Sequence, residues 1–233
     1  MAKMLSFALF TALFYHYRMR SVKGNKTIEL SVPEITEIAR KYNKTHVDLG
    51  TGDGRFIYES ALKDPHTLYV GIDPAEKQMR EYSVKCVKKK LDNALFLVSS
   101  IENLPDDFSE IADVLTIILP WGSLLGGIVR GETVIIGKVA GIIKRGGEIS
   151  IVLGYSAELE PSESERLELP ELTPEYVENT IAKAFSARIT NINGIEILDY
   201  SKDKLGDIGS NWAKKLTFGR DRKLYSLKIL TKL

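Results

Sequence analysis

Val47-Asp48-Leu49 runs straight into Gly50-Thr51-Gly52-Asp53-Gly54, an apolar extended stretch that breaks into three alternate glycines just before helix-type sequence. A strand turning sharply into a helix needs residues that tolerate positive φ, and a turn stripped of side chains lets a ligand approach the backbone. The neighbouring segments repeat the alternation. Residues 45–50 (THVDLG), 67–73 (TLYVGID), 94–99 (ALFLVS), 113–119 (DVLTIIL) and 147–155 (GEISIVLGY) read as buried strands, with helices over 54–62, 75–90 and 133–143 between them. Strands separated by helices imply a parallel α/β sheet.

The last third differs. Residues 174–187 are helical in pattern, 194–200 form a strand, 203–215 a polar connection and 223–230 (KLYSLKIL) an alternating strand reached without a crossover helix, hence antiparallel. Glu158, Glu160, Glu163, Glu165, Glu168, Glu171 and Glu175 make the stretch after the fifth strand acidic, which suits a solvated connection facing away from any nucleic acid.

With 233 residues, 44% hydrophobic and 27% charged, the chain can bury one sizeable core. A single domain is expected over 19–233, opening with a hairpin that turns at Gly24-Asn25 and a helix that starts at Pro33. Residues 1–18 form an apolar run behind Lys3, too short to cross a bilayer and without a small-residue cleavage site, and read as a leader or non-native extension before a start at Met19. Cys86 is the only cysteine, and His16, His46 and His66 lack neighbours at metal-ligand spacing, so a metal-free cytoplasmic protein with no membrane attachment is expected. A net charge of +1 leaves any nucleic-acid partner to be judged from local charge.

The glycine turn alone is weak evidence of a ligand, but it has company. Asp73 ends the second strand, where a carboxylate can accept hydrogen bonds from ribose hydroxyls. A dinucleotide fingerprint would place its third glycine at Arg55, and Asp48 ahead of the glycines would repel a diphosphate while suiting a cationic ligand. Asp48, Gly50, Gly52 and Asp73 therefore fit S-adenosylmethionine better than NAD.

Strand four ends in Leu119-Pro120-Trp121-Gly122, which brings a large aromatic to the carboxyl edge of the sheet. The other tryptophan, Trp212, lies in the connection before the last strand; if the sixth strand runs parallel, that connection emerges at the same edge. Two aromatic faces across a cleft suit a flipped nucleobase, although both could instead be core or cap residues. Lys214, Lys215, Arg220, Arg222 and Lys223 follow Trp212, and Lys85, Lys88 and Lys89 share one face of the second helix. Both patches suit phosphate contacts; lysines at a helix C-terminus also simply complement its dipole.

Taken in order, DLGTGDGR, GIDP, ILPWGSLL and NWAKKLTFGRDR resemble the aminoglycoside-resistance methyltransferases that modify N1 of adenine 1408 in 16S ribosomal RNA, with the likeness running from about Met19 to the final strand. The resemblance implies a class I S-adenosylmethionine-dependent methyltransferase fold, a seven-stranded sheet in the order 3-2-1-4-5-7-6 with an antiparallel last strand. It assigns the methionine part of the cofactor to Asp48 and Gly50, the ribose to Asp73, and the adenine enclosure to the loop carrying Ile101 and Glu102. It further assigns cofactor-side contacts to Ser123 and Ser210, the base clamp to Trp121 and Trp212, and RNA contacts to Lys85, Lys88, Lys89, Lys215, Arg220 and Arg222. Lys215 stands where relatives carry arginine, keeping the charge but not a bidentate phosphate contact.

The function implied is methyl transfer to a decoding-site adenine of the assembled small ribosomal subunit by a monomeric enzyme, conferring aminoglycoside resistance. The residues also leave open a methyltransferase acting on tRNA or a small molecule, and a non-catalytic RNA-binding protein that kept the fold.

Overall fold

The computed structural model describes residues 18–201 and 222–233. β1 (Arg18–Lys23) and β2 (Lys26–Ser31) form an antiparallel hairpin whose register runs from Arg18↔Ser31 to Lys23↔Lys26. Ser31 then caps α1 (Val32–Ala39): its hydroxyl accepts from the Glu34 N–H while the Glu34 carboxylate accepts from the Ser31 N–H, a reciprocal cap that satisfies two otherwise orphaned donors.

The sheet follows as β3 (Lys44–Leu49), β4 (Thr67–Ile72), β5 (Ala94–Val98), β6 (Ala112–Ile118), β7 (Ile143–Leu153), β8 (Ile192–Asp199) and β9 (Tyr225–Thr231). Its helices are α2 (Arg55–Lys63), α3 (Glu76–Lys89), α4 (Gly122–Val129), α5 (Thr133–Ile142), α6 (Pro161–Arg166) and α7, which runs through Pro174–Tyr176, a π-helical Val177–Ala182 and Lys183–Arg188. The strands lie in the order β2-β1-β5-β4-β3-β6-β7-β9-β8. β5, β4, β3, β6 and β7 are parallel, and β9 runs antiparallel to both β7 and β8. Every residue of β4 is buried, as expected of a parallel strand covered on both faces.

Without the hairpin this is the 3-2-1-4-5-7-6 arrangement implied by the motifs. The sheet has nine strands rather than seven because the hairpin is not a detached lead-in: β1 pairs antiparallel with β5 through Arg20↔Val98 and Ser21↔Leu97. Ser83 of α3 fastens its turn, donating to the Val22 carbonyl and accepting from the Gly24 N–H.

The acidic stretch after β7 also departs from expectation. It is not solvated throughout: it forms α6 and buries Ser164, Leu167 and Leu172, while the Glu160 side chain, 13% exposed, pairs with Arg222.

The strand-to-helix turn is fixed by packing as well as by φ. Gly54 has φ +77, and a Cβ there would meet the buried Phe96 ring at 2.4 Å. Gly54→Ala should therefore cost about 2–4 kcal/mol through backbone strain and overpacking. A thermal melt reads this as a drop of roughly 5–15 °C.

Candidate active site

The turn after β3, the end of β4, the loop after β5 and the end of β6 meet at the carboxyl edge of the sheet around a cleft of about 890 Å³. Asp48, Gly50, Gly52, Asp73, Ile101, Trp121 and Ser123 all line it, so the structure gathers most of the described residues that the sequence singled out for cofactor and base.

The two aspartates differ in how they are held. Asp73 accepts the Gly52 N–H on Oδ2 at 2.9 Å and the Ala75 N–H on Oδ1 at 2.8 Å, so the backbone of the glycine turn aims it. Burial raises its pKa, and those two bonds offset part of the rise. Asp48 is 5% exposed and accepts the Thr116 hydroxyl on Oδ1 at 2.7 Å. Burial pushes its carboxyl up to about 6; the Thr116 hydroxyl, and after it that of Thr51, opposes the rise, and the charge of Asp73 adds to it. Two carboxylates close together at one mouth disfavour a diphosphate and favour a cation.

On the loop after β5, Ser99, Ser100 and Ile101 line the cleft. Glu102, expected with them at the cofactor, is exposed and does not line the cleft. Burial raises its pKa, but hydrogen bonds from Ser123 and Ser100, with Lys138 nearby, leave it below the usual value. Glu102 thus ties this loop to the first turn of α4, and Lys138 fastens the same loop by donating to the Glu102 and Leu104 carbonyls at 2.9 and 2.6 Å.

Trp121 is 46% exposed on the cleft wall and occupies the cap position before α4. Leu119, two residues earlier, has φ +49, a left-handed conformation unusual for leucine, and Gly122 has φ +61. The Pro120-Trp121 step is held between two left-handed residues, the kind of strain that persists where a side chain must be presented in one direction.

Trp212, Ser210, Lys215 and Arg220 lie outside the described residues. Lys85, Lys88 and Lys89 lie on α3; Lys88 and Lys89 are exposed in its last turn, whereas Lys85 pairs with Glu81 at 2.7 Å and rests over the Tyr82 ring.

Arg222, assigned above to RNA, is tucked in. Its side chain is 7% exposed, pairs with Glu160 at 2.8 Å and donates to the Gly154 carbonyl at 2.9 Å. In this structure it ties the start of β9's approach to the loop after β7, beside Trp121. Breaking a buried pair strands the remaining charge. Glu160→Ala should thus lower stability by about 3 kcal/mol, while joint replacement of Glu160 and Arg222 by leucine and methionine should cost less. Urea unfolding of the three chains checks this.

Sequence reasoning missed Thr116 and His46, which contact Asp48 directly and through one hydroxyl respectively. A threonine within the apolar DVLTIIL run was the available signal. Its partner depends on the β3–β6 register, Asp48↔Thr116, which is not written in either strand.

Residues 20–231 match the family model NpmA, 16S rRNA (adenine(1408)-N(1))-methyltransferase. The chain belongs to this family. It is 36% identical over 214 residues to the 16S rRNA (adenine(1408)-N(1))-methyltransferase of Escherichia coli, covering 89% of this chain and 96% of that one. Among solved structures, a tryptophan-to-alanine variant of the Catenulisporales acidiphilia family enzyme with cosubstrate SAM superposes at TM-score 0.78 and 30% identity, covering 92% of this chain and 97% of that one. A 30S ribosomal A1408 methyltransferase from an uncultured bacterium is 39% identical at TM-score 0.71, covering 91% and 100%. Family membership places the glycine turn, both cleft aspartates and the Pro120-Trp121 step in a methyltransferase rather than in an NAD-binding protein. Among the described residues no helix is long and apolar enough to cross a membrane.

Proposed function

We propose that this chain methylates N1 of the decoding-site adenine of 16S rRNA, using S-adenosylmethionine, in the assembled small ribosomal subunit. The observation that carries the reading is the juxtaposition, in one cleft, of the paired carboxylates Asp48 and Asp73 with the presented indole of Trp121. The residues fit the cosubstrate: a buried carboxylate for a cationic amino group, a backbone-aimed carboxylate for ribose hydroxyls, and the wall of Ser99, Ser100 and Ile101 for a flat base.

What S-adenosylmethionine would supply when bound is a sulfonium methyl that the in-plane N1 lone pair of adenine can attack, the N–C bond forming as the C–S bond breaks and S-adenosylhomocysteine leaves. N1 needs no deprotonation, so the side chains are required to position rather than to act as a general base. Asp48 and Asp73 fix one reactant; Trp121, with Trp212 as its partner, stacks the flipped adenine. The product base is transiently cationic, and a cation between aromatic faces is favoured over a neutral base. Lys85, Lys88, Lys89, Lys215 and Arg220 supply phosphate contacts. Arg222 joins them if docking releases it from Glu160. The reading places the enzyme in the cytoplasm as a monomer and makes aminoglycoside resistance the outcome.

Incubating the protein and labelled S-adenosylmethionine with intact small subunits, protein-free 16S rRNA and tRNA in parallel tests the partner. Label on intact subunits alone is expected; label on tRNA would select the alternative substrate, and no label with no cosubstrate binding would select a non-catalytic RNA-binding role.

A further inference from the structure

A short polar chain lies beneath the cleft, inside the sheet. β3 places His46 and Asp48 on one face, two residues apart, and β6 brings Thr116 in register beside Asp48. Thr116 Oγ1 stands 2.7 Å from Asp48 Oδ1 and 3.1 Å from His46 Nε2. The imidazole is wedged between the rings of Phe56 and Tyr69, each with its centroid 5.4 Å away. Phe56 itself lines the cleft.

A threonine hydroxyl has one proton to give. The Asp48 carboxylate takes it at the shorter distance, so His46 Nε2 must carry a hydrogen and donate to the same oxygen. Burial pulls the His46 pKa down to about 4, which keeps the ring neutral near pH 7 with its one N–H available for this bond. An imidazole in the other tautomer would draw the Thr116 proton away from Asp48.

We propose that Thr116 and His46 are positioning residues for the carboxylate that receives the cosubstrate's amino group: His46 orients the Thr116 hydroxyl, and that hydroxyl holds Oδ1 of Asp48 at the cleft. The inference rests on the cleft being an S-adenosylmethionine site. It also explains how a carboxylate so deeply buried stays ready to meet a cation, since a hydroxyl donor stabilises its charged form. Among the described residues the other charged groups facing the cleft are Asp53, Asp73 and Glu81, and Tyr69 packs on the imidazole.

Calorimetric titration with S-adenosylmethionine between pH 5.5 and 8.5 tests this on binding rather than turnover. Thr116→Val, nearly isosteric, should weaken binding about tenfold at pH 7. It should also raise the pH below which affinity falls, by about one unit, because the carboxylate has lost a donor. Thr116→Ser should restore both. His46→Leu should move affinity and midpoint in the same direction by less, and His46→Gln, which can donate from its amide, should stay near wild type. The histidine pair decides the matter even if the valine variant folds poorly. Wild-type affinity and pH profile in both Thr116→Val and His46→Leu would overturn the inference, as would weaker binding with an unmoved midpoint, the mark of a merely structural role. A wild-type protein that binds no S-adenosylmethionine would instead overturn the reading of the cleft.

Discussion

Trp121→Ala should lower methylation of small ribosomal subunits by about 10- to 100-fold, the equivalent of losing a base–aromatic stack. Its affinity for S-adenosylmethionine should change by no more than about twofold. The indole is 46% exposed, so truncation opens no buried cavity in the core. Trp121→Phe keeps a stacking face and should recover much of the rate. Single-turnover labelling alongside calorimetry separates the two effects; a large loss of cosubstrate affinity in the alanine variant would make Trp121 part of the cofactor wall and not of the base clamp.

Asp48→Asn should make the protein more stable at pH 7 and much poorer at binding S-adenosylmethionine. Burial raises the carboxyl from 3.8 to about 6, so the folded chain binds this proton more tightly than the unfolded chain. The stability contributed by the protonated form is complete below about pH 3.8 and is lost as pH rises through about 6. At neutral pH the ionised group therefore costs on the order of 2–3 kcal/mol. Asparagine removes that cost and can still accept from Thr116, so its melting temperature at pH 7 should rise by roughly 4–10 °C, with the advantage gone near pH 4. In the proposed reading the charge that burdens the fold is the one that meets a cationic amino group, and losing it should weaken binding about 10- to 100-fold. A variant that melts as wild type at pH 7 would show that Asp48 is not held at an energetic cost.

The two variants probe the parts of the molecule that were easiest to read. The glycine turn and both aspartates were legible because a close backbone approach and a carboxylate at a strand end are local demands. The strand order was implied by the motifs, and the structure agrees with it for β3 to β9. Helix α4 was not legible. Its sequence, Gly-Ser-Leu-Leu-Gly-Gly-Ile-Val, is poor in helix formers, and only tertiary packing explains it: a Cβ on Gly127 would meet Ile135 of α5 at 2.6 Å. The nine-stranded sheet and the Glu160–Arg222 pair share that origin. Each joins residues far apart in the chain, Arg20 with Val98 and Glu160 with Arg222, and a glutamate in an acidic run gives no sign that one member turns inward. The same holds for Thr116 beneath Asp48, whose importance appears only once β3 and β6 are placed side by side.

The most direct test of the central claim is to methylate purified small ribosomal subunits with the protein and S-adenosylmethionine and to map the modified nucleotide by reverse transcription, which stops at an adenine methylated on N1. A single new stop at the decoding-site adenine, absent without the cosubstrate, is the predicted result. Methyl label in the subunit with the stop at another nucleotide, or no stop at all, would contradict it.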